Sequence, residues 1–238
     1  MKWMTFKSLL PMYTIVACIL ILGAIGGSKA VTSFKESVPI RQKITVIIDA
    51  GHGGEDGGAT SCTGVLESNI NLEIALRLND LMHLLGIRTK MIRTTDISVY
   101  TSGGSLSAKK VSDLRQRVKM VNEEGSALLI SLHQNYFSDE RYSGAQVFYA
   151  PTPGSEGYAS SLQSAFVQTL NKGSNRQCKK ADGIYLMQHI NTPGVLIECG
   201  FISNHAEEAN LRDPDYQKKL CCVIAAVTST NICQSVSA

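Results

Sequence analysis

The sequence predicts an α/β fold: a single domain with a mostly parallel or mixed central sheet and helices on both faces, preceded by an N-terminal signal or anchor segment. Short β-branched runs alternate with longer segments whose apolar residues recur at helical spacing. Three of the runs end at a polar side chain, Asp49, His133 or Glu198. The carboxyl ends of parallel strands meet at one edge of a sheet, so these side chains are expected to gather there. A long uncharged run before the first strand predicts the N-terminal segment.

Residues 1–30 are predicted to be a signal peptide or a membrane anchor. Lys2 and Lys7 precede an uncharged, apolar run over 9–27. As a helix this run would be about 28 Å long, just enough to cross a bilayer. Positive charge before it predicts that the N-terminus stays inside and that the rest of the chain is exported.

The fate of that segment stays open. Small residues at Ser28 and Ala30 allow cleavage after Ala30, and retention as an anchor fits the same run. Lipidation at Cys18 is the least favoured alternative, because the apolar run continues well beyond it. Residues 31–43 are polar and are interpreted as a tether, and residues 44–235 as the folded domain.

The exported part of the chain is electrically neutral. All three excess positive charges lie within residues 1–30, so residues 31–238 hold 20 basic and 20 acidic side chains. A nucleic-acid-binding protein would present a basic surface. The composition therefore argues against that class of function.

Six cysteines lie beyond the N-terminal segment, without the regular spacing of a disulfide framework or a zinc ribbon. Two of them are adjacent on a predicted helix and cannot comfortably pair with each other. We expect mostly free, buried thiols, and we predict no pairing. The six are Cys62, Cys178, Cys199, Cys221, Cys222 and Cys233.

The first strand is predicted over 44–48, a β-branched run that ends at Asp49 and breaks into a glycine-rich loop. That loop carries His52, whose imidazole is left uncrowded by the glycines on both sides, as suits a ligand or a base. The loop has neither a Gly-Lys-Ser/Thr ending nor the dinucleotide-binding spacing. This argues against a phosphate loop and leaves an ordinary turn open.

The first helix is predicted over 68–85, with Gly86 as its end. Its apolar residues at helical spacing are Ile70, Ile74, Leu78, Leu81 and Leu85. A strand is predicted over 87–92, followed by a long Ser/Gly-rich loop over 94–107. A second helix is predicted over 109–124. The residues expected to face inward on it are Leu114, Val118 and Val121.

The middle of the chain continues the alternation. A buried strand is predicted over 127–132, and it leads directly into His133. Another strand is predicted over 145–149 and a helix over 158–170. The segment 171–182 is polar and locally basic, which indicates a loop.

The last part of the chain contains two short strand candidates, 184–187 and 195–197, and the second leads into Glu198. A short helix capped by Asn204 and Glu207 follows. The final helix is predicted to begin at Asp213-Pro214 and to continue to about Ile232.

Three side chains of this pattern are of the types that bind zinc. His52 and His133 follow strands, and Glu67 stands at the entrance to the first helix. Two histidines and a carboxylate form the three-ligand set of a catalytic zinc site, which would leave Glu198 available as a base. The spacing is not of the HExxH type, so spacing alone does not predict a metal.

Each of these residues also has a structural interpretation. His52 fits a plain loop residue, Glu67 a carboxylate stabilised by the helix dipole, and His133 a hydrogen-bonded core histidine. Glu198 is harder to explain in this way, because a carboxylate after an apolar strand is costly to bury without a cation. The remaining histidines are interpreted as structural or surface residues: His83, His189 and His205.

Several ordered motifs together resemble one family, the zinc-dependent N-acetylmuramoyl-L-alanine amidases with an amidase-3 catalytic domain. The resemblance covers essentially all of residues 44–232. The motifs that carry it are Asp49-Ala-Gly-His-Gly-Gly54, Asp56-x-Gly-Ala59, Gly64-Val-Leu-Glu67, Arg93-Thr-Thr-Asp96, Leu114-x-x-Arg117, Ser131-Leu-His-x-Asn135, Pro193-x-Val-Leu-Ile-Glu198 and Gly200-Phe-Ile-Ser-Asn204.

The resemblance implies zinc bound by His52, Glu67 and His133, with Glu198 as the catalytic acid and base. It implies hydrolysis of the amide between the lactyl group of N-acetylmuramic acid and L-alanine. Substrate contacts are expected from Asn135 and Asn204. The departures from the family pattern remove no ligand: Ala50 stands where proline is usual, Gln134 where a small residue is common, and Cys199 where threonine is frequent.

A membrane-directed N-terminus without a wall-binding module is similar to the sporulation amidases of endospore-forming bacteria. Those enzymes remove peptides from cortex muramic acid before muramic-δ-lactam is formed. The similarity implies a peptidoglycan substrate, a location between the forespore and mother-cell membranes, and membrane contact through the N-terminal segment. We also expect an accessory or activating protein, because a domain without a wall-binding module must be positioned or activated, and the neutral charge predicts no nucleic-acid partner. A vegetative autolysin, another zinc peptidoglycan peptidase and an inactive wall- or partner-binding scaffold stay as alternative hypotheses.

Overall fold

The computed structural model of the protein describes residues 44–237, in which the backbone forms six strands and six helices. The predicted signal or anchor segment and the tether lie outside these residues. None of the helices in the described range is long and apolar enough to cross a membrane. The strands are β1 (Thr45–Ala50), β2 (Thr89–Met91), β3 (Ala127–Asn135), β4 (Gln146–Tyr149), β5 (Lys179–Lys180) and β6 (Gly194–Phe201). The helices are α1 (Glu67–Leu84), α2 (Leu106–Asn122), α3 (Ser155–Thr169), α4 (Tyr185–His189), α5 (His205–Arg212) and α6 (Pro214–Ser237).

The six strands form one mixed sheet in the order β2-β1-β3-β6-β4-β5. Strands β2, β1, β3 and β6 run parallel, β4 is antiparallel to β6, and β5 is parallel to β4. The predicted α/β fold with a mixed sheet is therefore confirmed. Because β1, β3 and β6 are parallel neighbours, their carboxyl ends lie at one edge of the sheet.

The strand register decides which polar side chains become neighbours at that edge. Asp49 on β1 pairs with Ser131 on β3, and His133 on β3 pairs with Glu198 on β6. Paired residues of adjacent strands point to the same face of a sheet. The β3–β6 register shifts between His133 and Asn135, so the regular pairing stops immediately beyond the histidine.

Helices cover both faces of the sheet, as predicted. One apolar core joins the sheet to α1, α3, α5 and α6, and a smaller one joins it to α2 and α4. On β1, Ile48 belongs to the first core and Ile47 to the second, and both are fully buried. Burial of one such side chain contributes about 1.5–3 kcal/mol. The strands near the site are therefore anchored on two sides.

One predicted strand is wrong. Residues 185–187 belong to helix α4, which Ile184 precedes in an extended conformation, and Leu186 and Met187 enter the smaller core. The rings of Tyr185 and His189, one helical turn apart, stack at 4.0 Å on the outer side. The apolar run is too short for its periodicity to distinguish a strand from a single helical turn.

Two smaller expectations also differ from the structure. The two-residue strand β5 lies within the segment 171–182, which is predicted to be a loop. It forms there because it pairs with β4 at the edge of the sheet. On α2 the buried residues are Arg117 and Val121, and Leu114 is 37% exposed rather than inward. A buried arginine thus lies on the inward face of α2 beside Val121, and Val118 is half-buried against the smaller core.

The cysteines are less buried than expected. Cys199 and Cys221 are buried, Cys62 and Cys178 are half-buried, and Cys222 and Cys233 are exposed. Successive residues of a helix point about 100° apart, so α6 buries the first of its adjacent pair and exposes the second. No disulfide forms among the cysteines of the described range.

Candidate metal centre and active site

His52 occupies the loop that leaves β1, with a backbone φ of 61°. A residue other than glycine is uncommon in this left-handed region of backbone conformation and must be held there by its surroundings. The imidazole is oriented by Asp56, whose Oδ2 lies 2.8 Å from His52 Nδ1. The opposite ring nitrogen, Nε2, is thereby turned towards Glu67, 3.3 Å from Oε2.

Two buried arginines hold the backbone of that loop. Arg117 donates hydrogen bonds to the carbonyl oxygens of Ala50 (3.0 Å) and His52 (2.8 Å). Arg93 donates to those of Ala50 (2.9 Å) and Gly51 (3.1 Å). These contacts fix three successive carbonyl groups and so stabilise the strained conformation of His52.

The charge of Arg117 is balanced by Asp49, which is 1% exposed and forms a buried ion pair with it. Ser131 Oγ donates to Asp49 Oδ2 at 2.7 Å, and Asp113 accepts from Arg117 Nε at 2.6 Å. Burial raises the pKa of the Asp49 carboxyl, but Arg117 and its other partners outweigh burial and hold that pKa below its usual range. We call Asp49, Arg93, Arg117 and Ser131 the arginine cluster.

Glu67 begins helix α1, where the helix dipole favours a negative charge. Its side chain is almost fully buried. Oε2 accepts a hydrogen bond from the amide of Ala59 (3.0 Å), and Oε1 accepts from the amide of Gln134 (3.1 Å) and from Asn71 Nδ2 (3.2 Å). His133 Nδ1 lies 3.1 Å from Oε1. The carboxylate is therefore fixed in orientation between the two histidines.

One ligand atom from each of His52, Glu67 and His133 lies within 4.8 Å of the others. We call these three residues the His–Glu cluster. The histidine rings meet edge to face, with their centroids 5.0 Å apart. Glycines make this convergence possible: a methyl group at Gly51 would overlap the His133 ring, and one at Gly58 would overlap Glu67 and His52.

The electrostatics of the cluster suit a cation. Burial raises the pKa of Glu67, but hydrogen bonds and charges from the two histidines outweigh it, and the pKa falls far below its ordinary value. Burial lowers the pKa of His52, but Glu67 and then Asp56 outweigh it and raise that pKa to about 9. The negative charge of the buried Glu67 carboxylate is thus balanced by a proton on the His52 imidazole. A metal ion can replace that proton, because histidine binds metals in its neutral form.

Glu198 lies beside His133 on β6, as the register requires. Burial raises the pKa of its carboxyl to about 7, against the opposing charge of His133. Its Oε2 is buried and has no hydrogen-bond partner among the described residues. Buried polar atoms are normally satisfied, so an unpaired carboxylate oxygen next to two histidines indicates a position for a proton, a water molecule or a substrate.

The residues present fit a divalent ion of the zinc class. Two imidazoles and one carboxylate are the donor set of catalytic zinc sites, and their ligand atoms already converge. His52 is oriented by Asp56, as outer-shell partners orient metal ligands. The other three histidines of the described chain, His83, His189 and His205, are exposed and take no part in this cluster, as expected.

The two asparagines expected to contact substrate have different surroundings. Asn135 ends β3 and is half-buried, and its carbonyl oxygen accepts from the amide of Ile202 (2.9 Å). Asn204 caps helix α5: its Oδ1 accepts from the amides of Ala206 and Glu207, both at 3.0 Å. Its Nδ2 donates to the carbonyl oxygen of Glu140 at 2.7 Å. The Asn204 side chain therefore joins two loops.

Sequence reasoning assigned no separate role to several residues that shape the site. Asn71 lies one helical turn after Glu67, a spacing that brings the two side chains together. Asp56 lies four residues after His52 in the same loop. Arg117 is marked by its position among apolar residues of α2, at helical spacing from Val121. These signals were present in the sequence, but contacts between distant segments gave them meaning.

Comparisons with known proteins show which proteins this chain is similar to. The Amidase_3 family, described as N-acetylmuramoyl-L-alanine amidase, matches residues 46–228. The germination-specific N-acetylmuramoyl-L-alanine amidase of Bacillus subtilis is 39% identical over 186 residues, which are 77% of this chain and 77% of that protein. The N-acetylmuramoyl-L-alanine amidase LytC of the same organism is 28% identical over 74% of this chain and 33% of its own length.

Solved structures show the same fold. The CwlD amidase of Clostridioides difficile, determined in complex with the GerS lipoprotein, superposes with a TM-score of 0.76 and 34% identity. That match covers 79% of this chain and 98% of the other. An N-acetylmuramoyl-L-alanine amidase from Clostridium difficile 630 superposes with a TM-score of 0.68 and 28% identity, over 79% of this chain and 95% of the other.

Proposed function

Because this chain belongs to the Amidase_3 family of N-acetylmuramoyl-L-alanine amidases, we propose that it is a zinc hydrolase whose reaction takes place between the His–Glu cluster and Glu198. Its amidase activity on peptidoglycan follows from the family and from its relatives. The bond cleaved is the amide between the lactyl group of N-acetylmuramic acid and L-alanine. The observation that carries the proposed site is the convergence of His52, Glu67 and His133 beside a carboxylate with an unpaired oxygen.

In this proposal His52, Glu67 and His133 hold the zinc ion. Bound there, zinc supplies Lewis acidity towards the amide carbonyl and towards water. The protein contributes the rigidity of the ligands: Asp56 orients His52, and Asn71 orients Glu67. Fixed ligands favour one coordination geometry and so favour one metal.

Glu198 is proposed as the acid and base of the reaction. It accepts a proton from the attacking water molecule and returns it to the nitrogen of the departing L-alanine. A pKa of about 7 suits both steps, because the carboxyl group can accept and release a proton near neutral pH. Its unpaired Oε2 is the atom proposed to face the water.

Asn135 is proposed to contact the substrate from the end of β3, beside the histidine of the same strand. For Asn204 we propose an indirect contribution. Its side chain is already used as a helix cap and as a support for residues 140–142, so it would act on the substrate through that loop.

For the biological setting we propose the spore cortex, with the amidase step preceding muramic-δ-lactam formation. The 39% identity to a germination-specific amidase supports this subclass over a vegetative autolysin. We further propose export to the space between the forespore and mother-cell membranes, with residues 1–30 as signal or anchor. An accessory protein is proposed because the related CwlD amidase was solved in complex with a lipoprotein.

The test combines metal content with product release. Purified protein, with and without added zinc, is incubated with intact peptidoglycan, and new amino groups of L-alanine are measured together with bound zinc. We expect zinc-dependent release that is lost in Glu198→Gln while zinc remains bound. Release that persists in this variant would contradict the assigned acid and base. Bound zinc without release in the wild type would indicate a different scissile bond or a missing activator.

An inactive binding scaffold is the second candidate. The described residues give it no specific support, because the three proposed ligands converge and Glu198 is present beside His133. Failure to bind zinc in the presence of a co-purified partner would favour it.

A further inference from the structure

The exposed aromatic side chains of the described chain are confined to one loop. Tyr136 is 55% exposed, Phe137 47% and Tyr142 47%, and every other tyrosine and phenylalanine in residues 44–237 is half-buried or buried. We call residues 136–142 the aromatic loop. Neighbouring exposed rings are unfavourable in water, so such a patch indicates a surface that is covered during function.

The aromatic loop is continuous with the proposed active site. It leaves the end of β3, so Tyr136 is three residues beyond His133 and within about 10 Å of it along the chain. On the other side, Tyr142 contacts Phe201, the last residue of β6, with ring centroids 6.1 Å apart. The loop therefore extends from the end of β3, which carries His133, to a contact with the end of β6, which carries Glu198.

The loop is fixed rather than merely exposed. The amide of Phe137 donates to Ser203 Oγ at 3.1 Å, and Asn204 Nδ2 donates to the carbonyl oxygens of Glu140 (2.7 Å) and Tyr142 (3.4 Å). The rings of Phe137 and Tyr142 meet edge to face at 4.6 Å. A rigid pair of rings is available for binding without first losing conformational freedom.

The charge of the loop selects among possible ligands. Its ionisable side chains are Asp139, Glu140 and Arg141, and the arginine forms a two-pronged ion pair with Asp139. The loop thus carries a net negative charge and no unpaired cation. Such a surface disfavours anionic lipid headgroups and the carboxylates of a peptidoglycan stem peptide. It suits a neutral ligand that offers C–H faces and hydroxyl groups.

We propose that the aromatic loop binds the glycan strand of the substrate, with sugar rings stacked on Phe137 and Tyr142. The N-acetylated sugars next to the scissile amide are neutral and present C–H faces, which matches the rings and the charge of the loop. The orientation of the substrate in this assignment rests on the proposed amidase reaction: the glycan strand lies on the aromatic loop, and the stem peptide points away from it. Tyr136 extends the same surface from the end of β3.

The experiment measures binding of a peptide-free tetrasaccharide of alternating N-acetylglucosamine and N-acetylmuramic acid to the full chain, with each lactyl carboxyl group capped as a methyl amide so that the probe is neutral. In the double variant F137A/Y142A we expect the dissociation constant to rise about tenfold or more, because two stacking surfaces are removed. The conservative variants F137Y and Y142F keep an aromatic ring at each position and are expected to bind the tetrasaccharide as the wild type does. Unfolding temperatures establish that each variant is folded.

The matched control is Leu84→Ala. Leu84 is 83% exposed and lies at the far end of α1, about 25 Å along that helix from Glu67. It is expected to bind the tetrasaccharide as the wild type does. With peptidoglycan as substrate, the F137A/Y142A variant is expected to change KM by a similar factor and kcat much less, because the rings do not touch the scissile amide.

The outcomes separate this inference from the amidase assignment. Tetrasaccharide binding that is absent in the wild type, or unchanged in F137A/Y142A, overturns the glycan surface even if the amidase is active. If the F137A/Y142A variant loses binding to neutral or anionic vesicles while its tetrasaccharide binding is intact, the loop binds a membrane. That result would also overturn the glycan surface. Ring-dependent tetrasaccharide binding by a protein without amidase activity would support the surface and reject the reaction.

Discussion

Two groups of buried charges lie side by side at the carboxyl edge of the sheet, and they differ in how completely their polar atoms are satisfied. In the arginine cluster, Asp49 and Arg117 form an ion pair, and further hydrogen bonds go to backbone carbonyls and Ser131. Beside the His–Glu cluster, Glu198 retains a buried oxygen that has no hydrogen-bond partner within residues 44–237. The first group is complete and positions the loop. The second is incomplete and is available for chemistry.

The largest effect is expected from removing a proposed ligand of the incomplete group. In His133→Ala the protein should lose zinc binding, and amidase activity should fall by about 10³-fold or more, because the metal chemistry is lost. Zinc content and release of L-alanine amino groups measure this. His83→Ala is the matched control, since His83 is exposed and contacts Thr89 at 2.6 Å. Equal losses in both variants would contradict the site.

In the arginine cluster, removing one partner of the buried ion pair should cause the largest loss of stability. Arg117→Leu leaves Asp49 buried without its counter-ion, and we expect the free energy of unfolding to fall by about 3–5 kcal/mol. Urea denaturation of the metal-free protein measures the change. Arg115→Leu, an exposed arginine on the same helix, should change it little. If the two variants are equally stable, the arginine cluster is not the support of the loop.

Asp49 and Glu198, one carboxyl group from each side of this comparison, should respond to pH with opposite signs. The pKa of Asp49 is lowered in the folded protein, so its stabilising contribution is present above its unfolded pKa and is lost as pH falls through the folded pKa. The pKa of Glu198 is raised to about 7, so the folded state binds this proton more tightly. The metal-free protein should therefore lose stability from Glu198 as pH rises from about 4.5 to about 7.

Glu198→Gln tests this sign directly. The variant cannot ionise at this position, so at pH values above about 7 it should be more stable than the metal-free wild type by about 1–3 kcal/mol. In acid, where Glu198 is protonated, the two proteins should be nearly equal. Denaturation in the presence of a chelator measures both differences. A stability difference of constant size across this range would show that burial does not control the Glu198 proton.

The smallest effect is expected at Asn204, which caps α5 and supports the aromatic loop. Asn204→Ala should reduce the free energy of unfolding by about 0.5–2 kcal/mol, since two amides lose their acceptor. Affinity for the peptide-free tetrasaccharide should fall with it. Asn210→Ala, later in the same helix, serves as control. An unchanged tetrasaccharide affinity in Asn204→Ala would separate the cap from the loop.

The fold was largely predictable because its strands and long helices have clear periodicity. Helix α1 was expected within one residue of both ends, and β1, β3 and β6 each lead into the polar residue that was singled out. The error at 184–187 arose where four apolar residues carry too little periodicity to distinguish a helical turn from a strand. The exposed Leu114 reflects a helix whose buried contacts come from its second half, through Arg117, Val118 and Val121.

The proximity of His52, Glu67 and His133 was predictable from the resemblance, and the roles of Asn71 and Arg117 were not. Both roles depend on contacts across the fold: Asn71 reaches the carbonyl oxygen of Gly51, and Arg117 reaches that of His52. A sequence shows which residues can form such bonds, but not which distant segment supplies the partner. The unpaired Oε2 of Glu198 is likewise visible only in three dimensions.

The arginines that hold the loop after β1 have a consequence for the order of assembly. Because guanidinium groups fix the carbonyl groups of Ala50, Gly51 and His52, the loop reaches its conformation as the chain folds, with no ion required. Capture of the proposed zinc ion and folding are then expected to be separate events. A protein organised in this way could fold at a place and time where the ion is scarce and take it up later.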